Sequence, residues 1–156
     1  MEPFNIVLFE PEIPQNTGTI GRLAVSTDSR LHLIEPLGFS LEDKFLKRAG
    51  LDYWPRLAPK IHPNWETFLA AERPARRFFL STHGKKSFFD AQFRPGDYLI
   101  FGKESAGLPP EFYEQYRDEL WQIPMPGRFS RSLNLANAVS IVLYEAIRQN
   151  REAFGI

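Results

Sequence analysis

Short apolar runs recur along this chain, each bounded by proline, glycine or polar residues, and most are followed by a segment of helical character. The runs at 4–9 (FNIVLF), 30–34 (RLHLI), 77–82 (RFFLST), 97–101 (DYLIF) and 120–123 (LWQI) have the length and the β-branched and aromatic content of buried strands. A further short strand is expected near 57–61. Helical segments are expected at 41–49, at 64–72 with Asn64 as cap, and at 110–116. Another begins at Asn16 or Thr17, either of which can cap it, and carries Ile20, Leu23 and Ala24 on one side. Such alternation predicts an α/β fold: a mostly parallel sheet with helices on both faces, folded as one domain over 1–156.

The last segment, IPMPGRFSRSLNLANAVSIVLYEAIRQ at 123–149, joins a strand end to a polar, arginine-bearing turn and then to a long helix. Ser132 stands just before the periodic run and is the expected N-cap. Apolar residues occupy nearly every face, so the helix is expected to be buried on most sides, against the sheet and against a partner helix of a homodimer. Its polar residues, Asn134, Asn137 and Ser140 with Tyr144 beyond, need partners or a use.

Composition closes off several classes. The chain has 156 residues, 43% of them hydrophobic, enough for a real core. No apolar run exceeds four residues, so no membrane span is expected. The start, MEPFNIVLFEPE, is acidic and strand-like rather than a signal peptide. There are no cysteines, which removes disulfides and thiolate chemistry and fits a cytoplasmic setting. The three histidines, His32, His62 and His83, are not at helical ligand spacing, so no metal is expected. Formal net charge is zero. Basic clusters (Lys44, Lys47 and Arg48; Arg73, Arg76 and Arg77; Lys85 and Lys86; Arg128 and Arg131) are each an ordinary solvated face, but several on one side would bind phosphates.

In parallel sheets ligands bind beyond the carboxyl ends of the strands. The loops with special chemistry all follow strands: NTGTIGR after an EPEIPQ spacer, STHGKK, GKESAGLPP and IPMPGRFSRS. They predict one composite site. The spacer, with prolines at 11 and 14, is expected to be non-helical. Gly18 and Gly21 each cost a helix roughly 1 kcal/mol relative to alanine, which suggests a close approach by backbone or ligand. Gly102 and Gly107 have phosphate-loop spacing, but Leu108-Pro109 stands where Lys-Ser/Thr is required. What remains is a glycine-rich turn beside one carboxylate, Glu104, either a mere tight turn or a loop reading an adenine edge or ribose through its backbone. No G-x-S-x-G elbow or paired glycosidase carboxylates are present.

These residues also carry a family resemblance. FEPEIPQNTGTIGRLA (9–24), LIFGKESAGLPP (99–110) and IPMPGRFSRSLNLANAVSIVLYEA (123–146) resemble, in order, the three motifs of the SPOUT RNA methyltransferases of the 2′-O-ribose branch. HLIEPLGF and KRAGLDYW resemble its minimal, single-domain bacterial members, which methylate the wobble nucleotide (cytidine or modified uridine) of leucine tRNAs. The similarity runs almost end to end. It implies a five- or six-stranded parallel sheet with a deep C-terminal trefoil knot, a homodimer, bound S-adenosylmethionine, and tRNA held across both subunits. Cofactor contacts would come from Leu80, Thr82, Gly102, Glu104, Gly107, Ile123 and Met125, with Ser132 and Leu133 closing the site. Asn16 and Arg22 match N-x-G-x-x-x-R and would act at the target ribose, with Lys44, Arg48, Arg131 and Asn134 as further RNA contacts. The turn PGRF is one residue longer than the family pattern, and Arg128 and Phe129 are not part of that pattern.

The implied reaction moves a methyl from a sulfonium to a ribose 2′-oxygen. Arg22 is a poor base, because guanidinium titrates above about pH 12. It suits donation of hydrogen bonds to the developing alkoxide and the adjacent phosphate. Rival readings are a 2′-O-methyltransferase for another tRNA or ribosomal RNA nucleotide, a knotted RNA-binding protein without turnover, and a small-molecule-binding or structural α/β dimer.

Overall fold

The structure, a computed structural model, describes residues 2–50 and 54–156. The Leu-Asp-Tyr of the KRAGLDYW stretch, 51–53, lies outside the described residues. In chain order the elements are β1 (Asn5–Phe9), α1 (Pro14–Ser26), β2 (Arg30–Ile34), α2 (Lys44–Gly50), α3 (Trp54–Leu57), β3 (Lys60–His62), α4 (Trp65–Glu72), β4 (Arg77–Leu80), β5 (Lys86–Ser87), β6 (Tyr98–Phe101), α5 (Pro110–Gln115), β7 (Leu120–Gln122) and α6 (Leu135–Gln149). Short 3₁₀ turns follow β5, α5 and α6.

The strands of the described residues form one seven-stranded sheet in the order β3-β2-β1-β6-β4-β7-β5, and every pairing is parallel. This is more strands than the five or six expected. Against the six runs read from the sequence the extra strand is β5, which is two residues long and starts at the end of the stretch expected to be a polar turn.

Period-two alternation sends the strands' side chains to two cores. Ile6, Leu8, Leu31, Leu33, Phe78, Leu80, Leu99 and Phe101 face α1 and α6, whose Ile20, Ala24, Val139, Val142, Leu143 and Ala146 join the same cluster. Val7, Phe9, Ile34, Phe79 and Ile100 face the other way, onto Trp65 and Phe68 of α4 and Phe112 of α5. Helices thus cover both faces, as the alternation predicts. Each fully buried Leu, Ile or Phe contributes about 1.5–3 kcal/mol relative to exposure.

Several boundaries differ from expectation. α1 starts at Pro14, inside the supposedly non-helical spacer, because proline's missing N–H costs nothing in a first helical turn. Asn16 and Thr17 are therefore inside the helix rather than capping it, and the N-cap residue Ile13 makes no side-chain cap bond. α6 begins at Leu135 with Asn134 as its cap, so Ser132 does not cap it. Asn64 does cap α4, its side chain accepting from the Thr67 N–H at 2.8 Å. α2 starts at Lys44 rather than 41.

α6 is also less enclosed than its composition suggests. Ile141 is 40% and Tyr144 55% exposed, on the side turned away from the sheet. Of its polar residues, Ser140 bonds back to the Ala136 carbonyl, which satisfies it locally. At α1, a Cβ on Gly21 would lie 2.8 Å from the Leu57 side chain, so this glycine admits α3. No helix among the described residues is long and apolar enough to cross a membrane.

Candidate active site

The loops that leave the carboxyl ends of β4, β6 and β7 enclose a cleft of about 530 Å³, closed on one side by the start of α6. Each residue expected to touch a cofactor lines it: Leu80 and Thr82 after β4, Gly102, Glu104 and Gly107 after β6, Ile123 and Met125 after β7, and Ser132 and Leu133 before α6. One edge is aromatic. The His83 and Tyr113 rings stack with centroids 4.2 Å apart, and the Tyr113 hydroxyl donates to the Leu108 carbonyl. This pair was not foreseen, because nothing in the sequence relates a residue after β4 to one on α5.

The glycine loop folds back on itself through a pair of backbone bonds between Lys103 and Gly107, at 3.1 and 2.8 Å. Gly107 has φ of 72°, in the left-handed region. Gly102 has no room for a side chain: a Cβ there would lie 2.1 Å from the Gly107 carbonyl carbon. The loop is therefore a tight turn and a cleft wall at once.

Glu104 does not simply point into this cleft. Its carboxylate accepts from the backbone N–H groups of Glu12 (2.8 Å) and Ile13 (3.0 Å) and from Asn16 Nδ2 (3.2 Å). It thus satisfies the start of α1, the role expected of Asn16 or Thr17, and places negative charge at a helix N-terminus. Glu12 returns the contact by accepting from the Ser105 N–H at 2.8 Å. Ser105, foremost through a side-chain hydrogen bond and then through this backbone one, holds the Glu12 carboxyl below its ordinary value, with Lys103 contributing.

Asn16 carries the connection further. Its Oδ1 accepts from Asn134 Nδ2 at 3.1 Å, while Asn134 Oδ1 accepts from the Asn137 N–H as cap of α6. One chain of bonds, Glu104–Asn16–Asn134, therefore ties together all three blocks singled out in the sequence. Asn16 spends its oxygen and one N–H on this junction.

The basic residues expected to contact RNA lie elsewhere, although Lys103 lines the cleft. Arg22 is exposed on α1 and is not part of the cleft wall, and Lys44 and Arg48 are exposed on α2, which packs against α1. Arg131 is exposed in the loop before Ser132. Within one protomer the cleft and Arg22 are separate features.

A second polar cluster occupies the other side of the sheet. His32, His62 and Glu72 come within 4.8 Å of one another, which their sequence spacing did not suggest. The Asn5 amide donates to the Gly96 carbonyl, so its oxygen accepts from His32 Nε2–H at 3.0 Å. His32 Nδ1 then accepts from His62 Nε2–H at 3.1 Å. Glu72 accepts from the Tyr98 hydroxyl and from Lys60. Both ring nitrogens of His32 and the Nε2 of His62 are thus engaged in hydrogen bonds. Burial, foremost, lowers the His32 pKa to about 4 and lowers that of His62.

Comparison with known proteins gives a consistent picture. The model of the SpoU rRNA Methylase family matches residues 3–144. A tRNA (cytidine(34)-2′-O)-methyltransferase of Acidovorax sp. (strain JS42) is 51% identical over 151 residues, 94% of this chain and 92% of the relative. A solved structure described as giving insight into 2′-OH methylation of C/U34 on tRNA matches with a TM-score of 0.90 at 49% identity, covering 97% of this chain and 98% of that one. The SpoU methyltransferase AviRb of Streptomyces viridochromogenes, in complex with AdoMet, matches with a TM-score of 0.80 at 29% identity, over 96% of this chain and 59% of that one.

Proposed function

The chain belongs to the SpoU rRNA methylase family, and we propose that it methylates the ribose 2′-oxygen of nucleotide 34, cytidine or modified uridine, in leucine tRNAs. It is a tRNA methyltransferase, and its methyl donor is S-adenosylmethionine. The observation that carries the reading is the Glu104–Asn16–Asn134 chain, which locks the start of α1, the glycine loop and the start of α6 around one cleft.

The cleft suits the donor. Its volume is in the range of small-molecule sites, and its wall combines apolar Leu80, Ile123 and Leu133 with exposed backbone of the glycine loop and the flat His83–Tyr113 pair. Leu80, Thr82, Gly102, Glu104, Gly107, Ile123, Met125, Ser132 and Leu133 would hold it. When bound, it supplies an electrophilic methyl group. The protein's part is then to orient the ribose and stabilise the oxygen as it loses its proton. Arg22 serves as the donor to that oxygen and its neighbouring phosphate, and Asn16 positions α1 beside it. Lys44, Arg48, Arg131 and Asn134 complete the RNA-facing set.

Arg22 stands outside its own protomer's cleft, which favours a homodimer in which each Arg22 serves the partner's site. The exposed Ile141 and Tyr144 supply a face for that association. We read 1–156 as a single cytoplasmic domain whose loops after β6 and β7 form the family's trefoil knot.

Transfer of tritiated methyl from S-adenosylmethionine to total tRNA, followed by mapping of the labelled nucleotide, tests this. Label at nucleotide 34 of leucine isoacceptors is expected. Label at another nucleotide, or only in ribosomal RNA, would overturn the substrate assignment.

A further inference from the structure

The loop before Ser132 ends in a feature that neither the cleft nor the fold uses. Phe129 is 86% exposed, an unusual place to leave a phenyl ring. The loop has a definite shape: the Ser130 N–H donates to the Gly127 carbonyl at 3.2 Å, and the Ser130 hydroxyl to the Met125 carbonyl at 3.4 Å. It stands clear of the body, since a Cβ on Gly127 would meet nothing within 4 Å. Both ends belong to the cleft wall, through Met125 on one side and Ser132 on the other. The Arg128 guanidinium lies 5.4 Å from the centre of the Phe129 ring, and Arg131 is exposed two residues on. No acidic residue lies between 124 and 134.

We propose that Phe129 is a stacking platform for an unpaired RNA base next to the methylated nucleotide, with Arg128 and Arg131 on the flanking phosphates. The inference rests on the tRNA reading above. A face built for a second protein copy would be apolar around its centre; this one is an aromatic ring among cations and hydroxyls. That combination matches single-stranded nucleic acid, where bases stack on aromatic rings and arginines neutralise the backbone. Phe129 is not part of the cleft wall, so it acts in substrate recognition rather than in methyl transfer.

Steady-state transfer to tRNA with F129A, F129Y and F129L tests the proposal. F129A is expected to raise the KM for tRNA about tenfold, the size of one lost base stack, with kcat and S-adenosylmethionine affinity unchanged. F129Y should restore the wild-type KM, and F129L, which keeps apolar area without a π face, should not. An unchanged KM in F129A, or a leucine variant equal to the tyrosine one, overturns the proposal. So does an F129A protein that sediments as a smaller species than wild type, which would make the ring a contact between copies. If the wild type transfers no methyl to tRNA, the functional reading fails by itself. The stacking is then decided by filter binding of an anticodon stem-loop to F129A and F129Y: weaker binding by F129A alone supports it, and equal binding overturns it.

Discussion

The side-chain amide of Asn134 donates to the amide oxygen of Asn16 at 3.1 Å, across 118 residues of chain. Asn16 in turn donates to Glu104. Three distant segments thus share one set of hydrogen bonds at the carboxyl edge of the sheet, and disturbing any member should be felt in both stability and activity.

Glu104→Ala removes the acceptor of three donors at once and strips α1 of the carboxylate at its N-terminus. A loss of about 2 kcal/mol in stability is expected. Thermal or urea unfolding measures it. Glu104→Gln should fall between the two, since an amide keeps one acceptor oxygen. A wild-type midpoint in Glu104→Ala would mean the bonds contribute nothing net.

Gly102→Ala places a methyl 2.1 Å from the Gly107 carbonyl carbon and 2.3 Å from the Leu108 nitrogen. Both obstacles are backbone, so the glycine loop must open. Calorimetry should show S-adenosylmethionine affinity falling at least about tenfold while far-UV circular dichroism stays near wild type. Retained affinity would show that the loop shape is not needed for the donor.

Arg22→Ala should lower methyl transfer at least about a hundredfold, the scale of losing a donor to a developing oxyanion. Binding of S-adenosylmethionine should survive, because Arg22 is not part of the cleft wall. Arg22→Lys is expected to remain poor, since an ammonium cannot reproduce a planar fork. Near-normal turnover in Arg22→Ala would remove the residue from the reaction.

Ile141→Glu places a charge on the exposed side of α6. If that side joins two copies, sedimentation should shift from dimer to monomer with circular dichroism unchanged, because Ile141 is 40% exposed in the protomer. Ile141→Glu by itself should also lose transfer if each Arg22 serves the partner's site. A wild type that already sediments as a monomer would refute the association.

Acid should weaken the fold through His32. Its folded pKa is about 4 against an ordinary 6.5, foremost because it is buried. The folded state therefore binds fewer protons than the unfolded one below pH 6.5. Stability from this group is full above that pH and is lost as pH falls toward 4, by about 3 kcal/mol. His62 is lowered for the same reason and adds the same sign. Burial pushes the Glu72 carboxyl up, but Tyr98, His32 and Lys60 outweigh it, so its contribution is also lost on the acid side. Urea midpoints at pH 7 and pH 4.5 should differ clearly in the wild type and less in His32→Asn. Equal wild-type midpoints would contradict the buried, neutral pair.

The layer architecture was legible because it depends on local periodicity. The run FNIVLF alternates toward two cores, and the structure buries β1 on both faces as that pattern requires. The loops lining the cleft were legible too, because parallel strands all carry their following loops to the same edge. Helix starts were less so. Pro14 lies within the first turn of α1, and Asn134 rather than Ser132 caps α6, since a cap is chosen by which backbone turns first and several residues can serve.

Partners across long separations were not legible at all. Glu104 reads in sequence as a carboxylate facing a ligand, and it caps a helix begun some 90 residues earlier. His32 and His62, unrelated by spacing, become a hydrogen-bonded pair because β2 and β3 are neighbours in the sheet. Sequence by itself determined the elements, their layers and the edge on which chemistry gathers, because each follows from short-range pattern. Only the tertiary structure decided which polar groups meet, because a hydrogen bond depends on tenths of an ångström between segments whose separation along the chain carries no distance.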